Sequence, residues 1–267
     1  MATKTEIDEA RDWEGRLLDC SACEQFANQA EGRCRLGHAC VQDRYARRID
    51  RFFRWNPKLA TDYITHPYFE VRAVAAKYLD IFHLQRLLHD PDETVRQSVV
   101  LRLPANSRQI KALKSDPDRE VRIRVAQRLE THELMGMVND PDYYVRQVVA
   151  RRLPLEKLAV MVNDRDPEVR KVVARRIGLQ GLLTLAKDTE ASVRLEAVLR
   201  LHVDHLKALV KDPDWRVRYE IAGRLDRGSL EGFRSDPELA VRELVEQRLS
   251  SYFTFPVKGQ SGVIVPN

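Results

Sequence analysis

The dipeptide Val-Arg recurs eight times between Thr65 and Gly259, at Val71, Val95, Val121, Val145, Val169, Val193, Val217 and Val241. Successive copies lie 24 residues apart, except that 26 separate Val95 from Val121. A fixed period of this length marks a solenoid, in which each repeat packs only on its neighbours and buries its apolar face by stacking. The constraint settles the fold class before any other feature is read. It also directs attention away from catalysis and toward recognition on a long surface.

We number each repeat from its opening Asp, at Asp90, Asp116, Asp140, Asp164, Asp188, Asp212 and Asp236, with His66 in the first repeat. Asp at position 1 reads as an N-cap, whose carboxylate accepts from free amides of a first helical turn. Pro follows it in six of the eight repeats, where a missing N–H costs nothing. Position 3 is acidic in seven repeats, suiting the positive end of a helix dipole. Apolar residues then fall at positions 6, 10, 11 and 14, as in Val145, Val149, Ala150 and Leu153. These steps trace one face of a helix of about 13 residues, ending near position 15. Apolar residues near positions 16, 19 and 22, such as Leu155, Leu158 and Met161 or Leu179, Leu182 and Leu185, have the spacing of a 3₁₀ segment or of one or two α turns. Period-two alternation is absent, so no strand is expected. The two extra residues of the second repeat, between Leu103 and Ile110, read as a longer loop.

Arg occupies position 7 in every repeat: Arg72, Arg96, Arg122, Arg146, Arg170, Arg194, Arg218 and Arg242. At 100° per residue this position lies inside the apolar stripe, so the charge must be paired. The acid at position 3 stands one turn earlier, which predicts an i,i+4 acid–Arg pair within each helix, forming an internal ladder. A second series at position 13, from Arg102 to Arg248, sits in the last helical turn. It is read as answering the helix C-terminus; a phosphate-binding strip is the alternative.

The chain has 267 residues, 43% hydrophobic and 32% charged, with a formal net charge of +5. That balance is only mildly basic. The charge is uneven, however: residues 1–32 hold three basic and eight acidic side chains, whereas residues 33–58 hold eight basic and two acidic. No apolar run long enough to cross a membrane exists, and Met1 to Ala10 carries no apolar signal core, so a cytoplasmic location is expected.

All four cysteines lie within 21 residues, at Cys20, Cys23, Cys34 and Cys40. Such clustering in a reducing compartment points to a metal or cluster site rather than to disulfides. Four thiolates suit either tetrahedral zinc or an iron–sulfur cluster. His38 offers a Cys₃His zinc set as a variant, but a lone histidine between cysteines is set aside. The helix expected after the last cysteine, Arg44 to Trp55, places Arg44, Arg47, Arg48 and Arg51 on one face and Tyr45, Ile49, Phe52 and Phe53 on another. It reads as a docking helix between the cysteine segment and the first repeat, with a nucleic-acid contact as the alternative.

The Asp-Pro-Asp-x-x-Val-Arg-x-x-Val-Ala-x-Arg-Leu repeat, joined to four N-terminal cysteines, resembles the leucine-rich repeat variant family. The resemblance covers nearly the whole chain. It implies an all-α, right-handed superhelical solenoid of alternating α and 3₁₀ helices, without β-strands, preceded by a small domain with a [4Fe-4S] cluster. Carried onto this sequence, the cluster ligands are Cys20, Cys23, Cys34 and Cys40, with zinc as the alternative occupant. The expected organisation is a cysteine-rich domain and docking helix over residues 1–65, eight repeats over 66–259 and a tail over 260–267. The stretches Tyr252–Val257 and Gly262–Val265 read as a cover for the last repeat.

Neither a phosphate-binding G-x-x-x-x-G-K nor a dinucleotide G-x-G-x-x-G motif is present. His83, His89, His132, His202 and His205 fall in separate repeats with no recurring acid or nucleophile, and read as solvated or rim residues. The expectation is a non-enzymatic iron–sulfur repeat scaffold that binds a macromolecular partner, a protein, in a redox-responsive way. Nucleic-acid binding and electron transfer are the alternatives; no membrane or small-molecule substrate is expected.

Overall fold

The structure, a computed structural model, describes residues 9–250. The stretches Tyr252–Val257 and Gly262–Val265 lie outside the described residues. Among the described residues the architecture is helical, with two isolated β-bridges, Arg11 with Leu17 and Arg35 with Ala39, both in the cysteine segment. Two compact units divide between Leu153 and Pro154.

The first unit carries the cysteine segment, the helix Ala46–Trp55 and the repeat helices Phe69–Ala75, Glu93–Arg102, Arg119–Arg128 and Tyr143–Arg152. The second carries Pro167–Ala174, Ala191–Arg200, Trp215–Arg224 and Leu239–Ser250. Within each unit these helices alternate with short segments. Some of those are 3₁₀ throughout, as at Thr131–Met137 and Leu155–Met161, one is an α-helix (Leu179–Leu185), and others change from α to 3₁₀, as at Val203–Leu206 and Lys207–Leu209.

The helices are shorter than expected, ten residues in Glu93–Arg102, Arg119–Arg128 and Tyr143–Arg152, because they start later. The cap is position 3, not position 1. Asp92, Asp118, Asp142, Asp166 and Asp214 have extended backbones, and their carboxylates accept from amides of the first turn. Pro at position 2 therefore precedes the cap, and only Pro167 of the fifth repeat starts a helix. The core positions are as expected: Val145, Val149, Ala150 and Leu153 are fully buried. In the short segments position 19 is buried, as is position 22 except at half-buried Leu209, but position 16 is not; Leu155 and Leu179 are 58% and 47% exposed. That position lies at the outer edge of the segment, where the chain has just turned away from the preceding helix.

Position 7 is buried at Arg72, Arg96, Arg122, Arg146, Arg194 and Arg218 and half-buried at Arg170 and Arg242, but a longer reach replaces the expected i,i+4 pair within each unit. Within each unit three of these arginines reach instead to the opening Asp of the next repeat. In the first unit Arg72 grips Asp90, Arg96 grips Asp116 and Arg122 grips Asp140, each through Nε and Nη2 to the two carboxylate oxygens. In the second, Arg170, Arg194 and Arg218 hold Asp188, Asp212 and Asp236 in the same way. The remaining nitrogen, Nη1, donates to the carbonyl at position 1 of its own repeat, as Arg122 does to Asp116 at 2.8 Å. The physical reason is competition. The position-3 carboxylate caps the helix amides beside it, whereas the position-1 carboxylate accepts only one backbone amide, that of position 3, and still presents both oxygens to a planar, bidentate donor. Burial raises the Asp188 carboxyl, yet Arg170 and the Glu190 amide outweigh it and hold its pKa below the ordinary range. For Asp236 the hydrogen bonds from Arg218 are the leading cause of a similar lowering.

The position-13 arginines answer helix C-termini, but those of the preceding helix. Arg152 donates to Ala126 O, and Arg200 donates to Ala174 O and Ile177 O. The preceding helix in these pairs thus has one or two of the carbonyls at its C-terminal end satisfied from the next turn of the stack. The 26-residue repeat keeps this plan. Its extra residues form a turn from Pro104 to Ser107, whose side chain caps Arg108–Ala112, and Arg96 still reaches Asp116.

Candidate iron–sulfur centre

The cysteine segment is built from turns. Cys20 and Cys23 are joined by a bond from Cys23 N to Cys20 O (3.2 Å), and the Gln25 amide points at Cys23 Sγ (3.4 Å). Cys34 and Cys40 flank a tight loop in which Arg35 and Ala39 exchange two bonds of 2.8 Å. The loop reverses at Gly37, whose φ of 69° disfavours any side chain. That reversal brings the two buried thiols together, with Cys34 Sγ 3.4 Å from Ala39 O.

All four thiols share one electrostatic neighbourhood. Burial, then the nearness of Cys40 and Cys23, raises the pKa of Cys20. Cys23 is raised chiefly by burial, with Cys40 adding to it. Hydrogen bonding between Cys34 and Cys40 lowers the former and pushes the latter well up. Neighbouring thiols of which three resist ionisation become thiolates together when a cationic centre sits among them, which is the chemistry of zinc and iron–sulfur ligation. The donor set therefore fits such a group. Among the described residues no three His, Cys, Asp or Glu side chains are already closed into a metal-holding set.

The helix Ala46–Trp55 buries Ile49, Phe52 and Phe53 completely. It follows the cysteine segment in the chain and packs on the first repeat helix, Phe69–Ala75. Phe53 meets Tyr63 and Tyr78 at ring distances of 5.6 and 6.0 Å. Its arginines are not a uniform face. Arg48 pairs with buried Asp43 at 3.0 Å, whereas Arg51 donates to His38 O at 2.8 Å and lies 2.8 Å from His38 Nδ1. Burial and the charges of Arg51, Arg35 and Arg48 lower the His38 pKa, so a neutral ring is favoured.

Several contacts that the sequence reading missed tie this segment to the repeats. Tyr63 donates to Glu24, next to Cys23, at 2.5 Å, and burial, then this pairing, drives the phenol pKa up. Asn56 Nδ2, buried, donates to Arg33 O at 2.7 Å and Phe52 O at 3.0 Å. Tyr68 Oη donates to Arg44 O at 3.1 Å, and the Trp13 ring stacks on that of Tyr68 at 5.7 Å. The only advance signal was a polar Asn directly before Pro57 in an aromatic stretch. Of the repeat histidines read as solvated, His132 and His202 are well exposed and meet nearby acids.

These features define an all-α repeat protein with a four-thiol N-terminal site. Residues 10–62 match the family described as LRV protein FeS4 cluster. A solved structure described as a leucine-rich repeat variant with a novel repetitive protein structural motif is 40% identical, with a TM-score of 0.81, over 87% of this chain and 99% of that one. An uncharacterised 27.7 kDa protein in the nifB 3′ region of Rhodobacter capsulatus is 52% identical over 98 residues, 36% of this chain and 40% of that relative. The chain belongs to the leucine-rich repeat variant family and carries its iron–sulfur domain. Among the described residues no helix is long and apolar enough to cross a membrane.

Proposed function

We propose that the protein is a non-enzymatic binding scaffold whose repeats hold a protein partner, and in which a [4Fe-4S] cluster on Cys20, Cys23, Cys34 and Cys40 governs the order of the first repeats. The observation that carries this reading is the set of bonds from the cysteine segment into the repeats, above all Tyr63 to Glu24 and Asn56 to Arg33. Loss of the cluster would leave four buried or half-buried thiols without their organising centre. The turns that hold Glu24 and Arg33 would loosen, and the first repeat would lose its outer contacts. The recurring arginines and aspartates favour a scaffold over a catalyst, because they are engaged in bonds between repeats.

The same engagement weighs against a nucleic-acid track along the repeats. Electron transfer through the cluster is a second reading, favoured by the proximity of His38 and Arg51 to the Cys34–Cys40 loop. Hydrogen exchange on the anaerobic holoprotein, before and after chelation of its iron, tests the coupling. Increased exchange is expected to extend from residues 20–40 into 56–78. Increased exchange confined to residues 10–45 refutes the coupling.

A further inference from the structure

The cysteine segment presents a face that its own folding does not account for. Of the eight basic and two acidic residues between 33 and 58, both acids are engaged: Asp43 holds Arg48, and Asp50 holds Arg54 and Lys77. Arg35, Arg47 and Arg51 have no carboxylate partner among the described residues. Arg35 and Arg51 both bear on His38, and the His38 ring lies 5.7 Å from that of Trp55. Trp55 and Leu36 remain 37% and 42% exposed beside these cations. Leu36 and His38 belong to the loop between Cys34 and Cys40, so the face lies over two of the four ligands.

An exposed Trp and Leu bordered by unpaired guanidiniums is the composition of a protein-binding hot spot with a cationic rim. The rim fixes the partner's sign as negative. A nucleic-acid strand would need a track of cations, and the repeat arginines that would supply one are already bonded to aspartates and carbonyls. A compact acidic protein surface fits better. We propose that this face docks a small acidic one-electron carrier protein over the Cys34–Cys40 loop. One electron then passes between the carrier's redox centre and the group held by the cysteines; one side is oxidised and the other reduced by one electron, and no bond is made or broken. The proposal rests on the cysteines holding a redox-active cluster. It does not depend on the coupling of that cluster to the repeats.

The test uses the anaerobic full-length holoprotein and measures its affinity for an acidic ferredoxin and for an acidic flavodoxin by calorimetry or anisotropy. At least one is expected to bind at low ionic strength and to weaken as salt rises. R35E/R47E is expected to weaken binding about tenfold or more at low salt, with the difference shrinking at high salt. Trp55→Ala is expected to weaken it about tenfold or more at any salt. The charge-matched control R86E/K211E, on exposed repeat positions, is expected to leave affinity unchanged. Iron content and melting temperature equal to wild type establish that the variants are folded. No binding of either carrier at low salt overturns the proposal. So does equal weakening by the control, or tighter R35/R47-dependent binding of a single-stranded 20-mer oligonucleotide.

Discussion

Removing Arg122 addresses the joint on which the stack depends. Its guanidinium makes four bonds: 2.9 and 3.2 Å to Asp140, 2.8 Å to Asp116 O and 3.2 Å to Pro117 O. Arg122 and Asp140 are 8% and 7% exposed, so water replaces little of what is lost. Arg122→Ala strands a buried carboxylate and two carbonyls, and a loss of about 3–5 kcal/mol is expected. Asp140→Leu strands the guanidinium and should cost a similar amount. Replacing both, in R122M/D140L, removes the two charges together and leaves two carbonyls without a donor and the Asp142 amide without its acceptor, at about 1–3 kcal/mol. The double variant should therefore be more stable than either single one, and the cycle should give a coupling of at least about 2 kcal/mol. Urea unfolding of the anaerobic holoprotein, followed by circular dichroism, reads these differences, provided the slope with denaturant is unchanged. Arg119→Ala serves as control, since that side chain is about half exposed and its pairs with Glu120 and Asp142 stand in solvent, so the midpoint should barely move. If Arg122→Ala lies within about 1 kcal/mol of wild type, the ladder does not stabilise the stack and the reasoning fails.

Three further outcomes are expected. Lys111 and Lys114 lower the Glu133 pKa to about 2, against about 4.3 for a free glutamate. A carboxylate lowered in the folded state stabilises at pH above the unfolded value and loses that contribution as pH falls from about 4.3 to about 2. Glu133→Gln should therefore melt below wild type at neutral pH and converge with it near pH 2; a constant gap across that range counts against the assignment. Arg200→Ala uncovers two carbonyls, Ala174 O and Ile177 O, and should cost about 1–3 kcal/mol in the same urea assay, whereas loss of solvent-facing charge alone would leave the midpoint unchanged. Purified without oxygen, the protein should contain about four irons and four acid-labile sulfides, and Cys34→Ser should lower both. One zinc without sulfide would remove the redox part of the proposed function.

The repeat was legible because its period imposes the same burial on every copy, and Val145, Val149, Ala150 and Leu153 are buried as their spacing predicts. The burial of Arg122 followed from the same geometry, but its partner did not. A helical wheel compares residues on one helix, and Asp140 stands 18 residues further on. The clue was available in the second repeat, where the two inserted residues lengthen the corresponding separation to 20 between Arg96 and Asp116. A cap and an ion-pair acceptor are the same residue type, so Asp90 and Asp92 could not be told apart by composition; only their hydrogen bonds distinguish them. The four cysteines were legible because of their clustering. Glu24, Asn56 and Tyr63 were not, because a single contact across the segment leaves no periodic trace.

The forward reach of position 7 and the backward reach of position 13 have a consequence for how such a chain changes length. Within each unit the junctions between successive repeats are made of the same two kinds of arginine contact, so no repeat there carries a complete set by itself. Duplicating or deleting one whole period rejoins matching halves and leaves the surviving junctions intact. A change of any other size must fall where neither arginine nor its acceptor is displaced, and the turn at Pro104–Ser107 is such a place: two residues were accommodated there while Arg96 kept Asp116 and Arg128 kept Leu103 O. Evolution of the array is thereby quantised, with whole repeats as its units and one loop per repeat as its tolerance.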